Sequence, residues 1–240
     1  MKTTNLTSVA IAVLLGTVML AGAGCTNSKT NQETSDNMET LNLTQEWDKK
    51  FPQSDKVNHR KVTFKNRYGI TLAADLYEPK NVEGKLAAIA VSGPFGAVKE
   101  QTSGLYAQTM AERGFLTLAF DPSYTGESGG EPRNVASPDI NTEDFSAAVD
   151  FLTALSDVDA ERIGIIGICG FGGMGLNAAA MDTRIKATVA STMYDMSRVN
   201  ANGYFDAEDS ADDRNKKREM MNVIRTRDAQ SGTITPGVPG

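Results

Sequence analysis

Two short stretches of the sequence have residue types that could carry a hydrolase nucleophile. The first, "GESGG", is a G-x-S-x-G pattern with Ser128 at its centre. The second, "RIGIIGICGFGGMGLNAAA", contains no serine but places Cys169 directly after an apolar run. A serine or cysteine at such a turn attacks carbonyl carbons, and it needs a histidine as base and acid and a carboxylate that orients the histidine. The chemistry indicated is acyl transfer.

The residues around Ser128 do not suit a nucleophile. A nucleophile elbow needs a strand before it, a helix after it and small flanking residues, because the nucleophile adopts a positive φ. The segment "DPSYT" separates the motif of Ser128 from the preceding apolar run, and "GGEPRNVASP" after it cannot begin a helix. We therefore interpret "GESGG" as part of an irregular, glycine-rich loop.

The residues around Cys169 match an elbow better. The apolar run 163–168 ends at the cysteine, glycines and then a helical pattern follow, and Gly167 is the small residue two positions before. Phe171 lies two positions after Cys169, where a glycine is expected. A second register would place Phe171 at the tip, where it could not act as a nucleophile. The strand favours Cys169 at the turn; the alternative is that Cys169 is simply a packed residue.

The elements that must position this turn alternate along the chain. The stretch "KVTFKNRYGITLAADLYEP" predicts a β-hairpin, because two alternating apolar runs flank "NRYG". The almost wholly apolar runs 86–93 and 115–123 predict buried strands, as do "RIGIIGIC" and "IKATVASTMYDM". With helices between them, these strands predict an α/β fold with a mostly parallel sheet and helices on both faces. Ligands bind beyond the carboxyl ends of the strands in such a sheet.

Two of the helices have recognisable signals. Helical spacing over 105–113 stops at Gly114. For the next helix, Asn141, Thr142 and Asp144 are the candidate capping residues.

The motif "VDAERIGIIGICGFGG", the loop "DPSYTGESGG" and the order of elements resemble the α/β-hydrolase superfamily over residues 62–195. The most similar branch is that of bacterial dienelactone-hydrolase-like and peptidase-like esterases, some of which use cysteine. The resemblance implies that Cys169 forms an acyl-enzyme, which water then hydrolyses. It also implies an oxyanion hole made by the amide of Gly170 and by one in the loop "SGPFG". Since Pro94 has no N–H, the donor in that loop would be Phe95, with Gly96 as the alternative.

The resemblance leaves the triad incomplete. His59 is the only histidine in the sequence, and it precedes the first strand, whereas the family places its histidine after the last strand. We expect His59 to be a solvated edge residue. Asp195, at the tip of the sixth strand, is a possible acid, and a structural turn role is the alternative. The resemblance implies an incomplete C-terminal third, with residues 185–190 left as an exposed sheet edge.

The N-terminal segment resembles an export signal. Lys2 and an apolar run over 9–20, too short to span a membrane, precede "LAGAGC", which resembles a bacterial lipobox with Cys25 as the lipidated residue. The alternative is a plain secretory signal. We expect a lipoprotein anchored to the membrane in the cell envelope. The predicted organisation is a signal peptide over 1–24, a tether over 25–45, a hydrolase core over 46–205 and the start of a cap, helical and then disordered, over 206–240.

Composition and spacing exclude several other functions. The net charge of −6 argues against a nucleic-acid partner, because phosphate binding needs a basic face. No metal-ligand spacing is visible, and no cofactor is expected, because the turn "GICGFGG" follows the fifth strand rather than the first. Two functions are left: an esterase-like hydrolase of small ester-like substrates, or a non-catalytic, ligand-binding lipoprotein.

Overall fold

The computed structural model describes residues 41–235, which form a six-stranded sheet with helices on both faces. The strands are β1 (Val57–Lys65), β2 (Thr71–Pro79), β3 (Leu86–Ser92), β4 (Leu116–Phe120), β5 (Val158–Ile168) and β6 (Ile185–Ser191). The helices are α1 (Thr102–Ala111), α2 (Pro138–Thr153), α3 (Gly170–Met181), α4 (Met196–Asn202) and α5 (Ala211–Ser231), with a 3₁₀ turn at Tyr204–Asp206.

The strand order is β1-β2-β4-β3-β5-β6. β4, β3, β5 and β6 are neighbours in this order and run parallel. β1 and β2 form an antiparallel hairpin, and β2 also pairs antiparallel with β4. The hairpin turns where the Asn66 side-chain oxygen accepts hydrogen bonds from the amides of Tyr68 and Ile70, and Gly69 supplies a φ of +81°. The predicted mostly parallel α/β sheet with an N-terminal hairpin is confirmed.

Apolar residues fill both faces of the sheet because strand side chains alternate in direction. One face packs against α2 and α3, and its buried residues include Leu76, Leu118, Phe145, Ile165 and Met174. The other face packs against α1, and its buried residues include Tyr77, Val91, Ala107, Ala111 and Ile166. β5 contributes to both layers, with Ile165 on one face and Ile166 on the other, and it pairs with β3 and β6.

One end of the sheet is open. β6 is the edge strand, as expected for residues 185–190, and Val189 within it is 52% exposed. An apolar groove of about 350 Å³ crosses β3, β5 and β6 beside α1, with Ile89, Met110 and Val189 among its lining residues. The sheet face at this edge is therefore only partly covered by the described residues.

The start of α2 differs from the prediction. Ser137 is the N-cap, its hydroxyl accepts a hydrogen bond from the Ile140 amide, and Pro138 is the first helical residue. Serine followed by proline is a standard helix start, since proline has no N–H to leave unsatisfied. Asn141, Thr142 and Asp144 lie inside the helix and are buried.

The Asp144 carboxylate is buried because four hydrogen bonds satisfy it. It accepts them from the amide and hydroxyl of Ser123 and from the side-chain amides of Asn66 and Asn141, at 2.7–3.1 Å. Asp144 thus ties α2 to the hairpin turn and to the loop after β4, and the capping role predicted for it is wrong.

The segment predicted as the start of a cap contains α5, which has no buried residues. Within residues 41–235, no helix is both long enough and apolar enough to cross a membrane. The predicted signal peptide, Cys25 and the tether up to residue 40 lie outside the described residues.

Candidate active site

The chain turns sharply at Cys169. The residue has φ 57° and ψ −125°, between the end of β5 and the first residue of α3. Its amide donates to the Ser191 carbonyl (2.9 Å), and its carbonyl accepts from the Gly172 amide (3.0 Å). A positive φ is strained for a residue with a β-carbon, and such strain is concentrated at functional sites. The half-buried free thiol therefore stands at the position expected of an elbow nucleophile.

Phe171 does not occupy the tip of this turn. Its side chain is 2% exposed and packs in the core, with its ring centroid 6.3 Å from that of Phe145. The departure from the family's glycine is accommodated because the Phe171 side chain points inward. The first turn of α3 nevertheless lies very close to the backbone of β5, since a β-carbon on Gly167 would lie 2.3 Å from the Phe171 carbonyl oxygen.

The structure brings together the two residues predicted to form the oxyanion hole. A β-carbon added to Gly170 would lie 3.2 Å from the Phe95 β-carbon, so the loop after β3 contacts the start of α3 directly. Gly170 is the first residue of α3, where amides have no acceptor within the helix. The Phe95 ring is 40% exposed.

Asp195 has the geometry of a helix cap. Its carboxylate accepts hydrogen bonds from the Ser197 hydroxyl (2.6 Å) and the Arg198 amide (3.0 Å) at the start of α4. These hydrogen bonds lower the pKa of Asp195 below its ordinary value. Its exposed side chain caps α4, as the structural alternative predicted.

His59 lies on the edge strand β1, as expected, but it is not solvated. Its imidazole is only 14% exposed, its Nε2 donates to the Asp75 carboxylate (2.8 Å), and its ring packs against Trp47 and Tyr77. The imidazole is buried because Asp75 gives it a hydrogen-bond partner within the hairpin. This environment is structural, and it lies on β1 at the far side of the sheet order from β5.

Ser128 is sealed into the fold. Its hydroxyl donates to the Asp121 carbonyl (2.7 Å) and accepts from the Ala73 amide (2.8 Å), and the residue is buried. The hydroxyl therefore links the loop after β4 to β2. The serine of "GESGG" has no access to a substrate.

Sequence reasoning missed a buried ionic network beneath the Phe95 loop. The Lys99 ammonium, with no exposed side-chain surface, bonds to Asp121 (2.9 Å), Glu127 (2.6 Å) and Glu100 (2.5 Å). The Lys99 amide also donates to the Asp121 carboxylate (2.7 Å). Burial raises the pKa of Asp121 to about 6, against the attraction of Lys99. Although burial disfavours the ammonium, these carboxylates raise the pKa of Lys99.

Three acids of the same region, Asp48, Glu100 and Glu127, have carboxylate oxygens within 4.8 Å of one another, a spacing suitable for a metal ion. Lysine ammonium groups already lie among them: that of Lys61 is 2.6 Å from Glu127 and 3.1 Å from Asp48, and that of Lys99 bonds to Glu100. These residues do not fit a metal ion, because lysines already neutralise the carboxylates. No sequence motif marks this network, since its members come from segments far apart in the chain.

Residues 68–232 match the family described as X-Pro dipeptidyl-peptidase (S15 family). The protein PA2218 of Pseudomonas aeruginosa is 65% identical over 226 residues, which cover 92% of this chain and 60% of that protein. YcjY of Escherichia coli is 44% identical over 187 residues, covering 75% of this chain and 61% of YcjY. A thiohydrolase of Aspergillus aculeatus is 31% identical over 137 residues, covering 57% of this chain and 42% of that enzyme.

The crystal structure of PA2218 has the same fold, with a TM-score of 0.79 and 70% identity over 81% of this chain and 60% of that chain. This chain thus spans about three fifths of the length of PA2218 and YcjY. The family match covers more than half of the sequence and includes the elbow, its flanking strands and the following helices. The chain belongs to the X-Pro dipeptidyl-peptidase (S15) family and has an α/β-hydrolase-like fold.

Proposed function

We propose that this protein hydrolyses a small carboxylic ester, thioester or activated amide, with Cys169 as the nucleophile. The observation that carries the proposal is the positive φ of Cys169 between β5 and α3, beside the contact of Phe95 with Gly170. In this position Cys169 is the N-cap residue of α3, directly before the amide of Gly170.

The reaction proceeds in two acyl-transfer steps. The Cys169 thiolate attacks the substrate carbonyl carbon, and the new C–S bond leaves negative charge on the carbonyl oxygen. The amides of Gly170 and Phe95 are the proposed donors to this oxyanion. The intermediate collapses by breaking the bond to the alkoxide, thiolate or amine, which takes a proton from solvent. Water then attacks the acyl-enzyme, releasing the acid and the thiol.

The thiohydrolase relative supports thioesters as one class of substrate. Exchange of an acyl group between two sulfur atoms also suits a cysteine nucleophile, since the leaving thiolate resembles the attacking one. Substrates and turnover of the whole protein remain part of the proposal, because this chain spans about three fifths of PA2218 and YcjY.

One observation favours a second candidate, a ligand-binding protein that does not turn over its ligand. His59 is the only histidine in the sequence, and Asp75 holds it in the hairpin rather than at Cys169. Within residues 41–235 no histidine lies at Cys169, so these residues alone would hydrolyse an acyl-enzyme slowly or not at all. We further propose export and attachment to the cell envelope through a lipid on Cys25.

The experiment measures acylation and hydrolysis separately. The protein, Cys169→Ala and Cys169→Ser are incubated with p-nitrophenyl butyrate and with a butyryl thioester, and acyl adducts are located by intact-mass and peptide mass spectrometry. We expect an adduct on Cys169 and none at that position in Cys169→Ala. Equal product release by the protein and Cys169→Ala would rule out the nucleophile, whereas an adduct that never hydrolyses would favour the binding function.

A further inference from the structure

A second cavity, of about 350 Å³, lies directly beside the elbow. Its walls come from the start of α2, from α3 and from the segment after β6, and include Gly170, Gly173, Leu176, Met193 and Met196. Gly170 joins the cavity to the elbow, because a β-carbon there would lie 3.0 Å from the Met196 side chain and 3.2 Å from Phe95. A substrate whose carbonyl reached Cys169 would have this space next to it.

The chemistry of the walls selects against charged ligands. Four polar side chains of the cavity have partners within the protein: Asn177 donates to Thr142 (3.3 Å), and Asp195 accepts from Ser197 and from the Arg198 amide. The lining contains no lysine, arginine or histidine that could pair with a carboxylate or phosphate.

The apolar side chains around the opening are conspicuously exposed. Leu176 is 44% and Met193 is 48% exposed, and exposed apolar groups clustered at a cavity mark a binding surface. Methionine side chains are flexible and adapt to ligands of different shape. The walls therefore suit a hydrocarbon chain.

We propose that this cavity binds the acyl chain of the substrate, and that the protein prefers unbranched, medium-length acyl groups to acetyl groups. The inference rests on the proposed function, since it assigns the acyl group that Cys169 would receive. The chain would extend from the elbow at Gly170 along the first turns of α3 towards Leu176.

Gly173 determines how much of this space is open. A β-carbon added to Gly173 would meet only the Tyr194 carbonyl oxygen, at an ordinary contact distance of 3.6 Å. By contrast, a β-carbon on Gly172 would lie 3.1 Å from the Met193 side chain. Residue 173 can thus carry a larger side chain that fills the cavity while the elbow keeps its geometry.

The test compares the initial acylation rates of three proteins, the unsubstituted protein and the variants Gly173→Val and Ala180→Val. The substrates are p-nitrophenyl esters from acetate to decanoate. Ala180 is an exposed residue of the same helix outside the cavity, and it controls for a β-branched residue in α3. In the protein, we expect the rate constant to rise about fourfold with each added methylene until the cavity is full, as expected for burial of one methylene. The octanoate-to-acetate ratio should fall at least tenfold in Gly173→Val and stay unchanged in Ala180→Val.

Binding of the neutral, non-hydrolysable ketone 2-decanone, followed by saturation-transfer NMR, separates failure of the cavity from failure of the nucleophile. Binding that Gly173→Val abolishes, without acylation by any ester, would support the cavity and overturn the nucleophile. Acylation at equal rates by acetate and octanoate, with the same ratio in Gly173→Val, would overturn the acyl-chain site and leave the nucleophile standing. Absence of both acylation and ketone binding would overturn both.

Discussion

Gly93, just after β3, packs directly against Phe171 in the first turn of α3. A β-carbon on Gly93 would lie 2.9 Å from the β-carbon of Phe171 and 2.4 Å from the Ile168 carbonyl oxygen, and φ at Gly93 is +96°. The loop that carries Phe95 can approach the elbow only because this position has no side chain.

We therefore expect Gly93→Ala to lower the free energy of unfolding by several kcal/mol, because it combines left-handed strain with a backbone clash. Gly69→Ala is the matched control: its φ is +81°, but a β-carbon there would meet nothing within 4 Å, so only strain of about 1 kcal/mol is expected. Urea denaturation measures both. Similar losses for the two variants would contradict the contact between Gly93 and the elbow.

The Lys99 ammonium neutralises Asp121 and Glu127 beneath the Phe95 loop. Lys99→Met should cost about 3–5 kcal/mol, because it leaves a buried carboxylate without its partner. Lys216→Met, at a side chain that is 76% exposed, should cost less than about 0.5 kcal/mol. Chemical denaturation of the two variants provides the measurement, and equal stability would show that the buried ion pair contributes little.

Acid should destabilise the protein steeply below pH 4.5. Burial alone would raise the pKa of Asp48 and of Glu127. Hydrogen bonds from Lys49 and Lys61 outweigh this effect at Asp48 and lower its pKa to about 2. Hydrogen bonds from Lys61 and Lys99 likewise lower the pKa of Glu127 to about 2. Because these values lie below the ordinary ones of 3.8 and 4.5, their stabilisation is complete above pH 5 and is lost as the pH falls towards 2.

Asp121 has the opposite effect on stability, because its pKa of about 6 lies above its ordinary value. Its protonation between pH 6 and 4 therefore favours the folded state. We therefore expect the stability to rise over that interval and then to fall between pH 4 and 2, by less than the full pKa shifts imply because both Asp48 and Glu127 are partly solvated. In the double variant Asp48→Asn, Glu127→Gln, the free energy of unfolding should decrease less steeply as the pH falls below 4. A substitution of the exposed Glu83 should not change this dependence. An unchanged slope in the double variant would refute the assignment.

Asp195→Asn should leave both acylation and deacylation of Cys169 unaltered. Asparagine is an effective N-cap, so it keeps the bond to the Arg198 amide while removing the charge. Stopped-flow release of p-nitrophenolate gives acylation, and mass spectrometry of the decaying adduct gives deacylation. A large drop in deacylation would restore Asp195 as the acid.

The fold could be predicted in large part from local patterns. Alternating and continuous apolar runs predicted the hairpin, the buried strands and the turn at Cys169, because strand burial leaves a direct trace in the sequence. The start of α2 was missed although Ser137 and Pro138 carried a usable signal. Asn141, Thr142 and Asp144 have the composition of a cap, but they lie inside α2 and are buried.

The surroundings of His59 and Lys99 could not be predicted in this way. Asp75 lies among the apolar residues Leu72, Ala73, Ala74 and Leu76 of β2, and its pairing with His59 depends on the hairpin register. The partners of Lys99 lie more than 20 residues away, except for the adjacent Glu100. Lipidation of Cys25, and a histidine supplied by further strands of a longer chain, stay predictions.

The hydroxyl of Ser128, enclosed between β2 and the Asp121 carbonyl, has a practical consequence for detecting this protein in cell extracts. Fluorophosphonate reagents, which profile serine hydrolases across whole proteomes, should pass over it despite its G-x-S-x-G signature. Thiol-directed electrophiles carrying an acyl-like tail should label it instead, so inventories built on the motif alone would place this protein in the wrong chemical class.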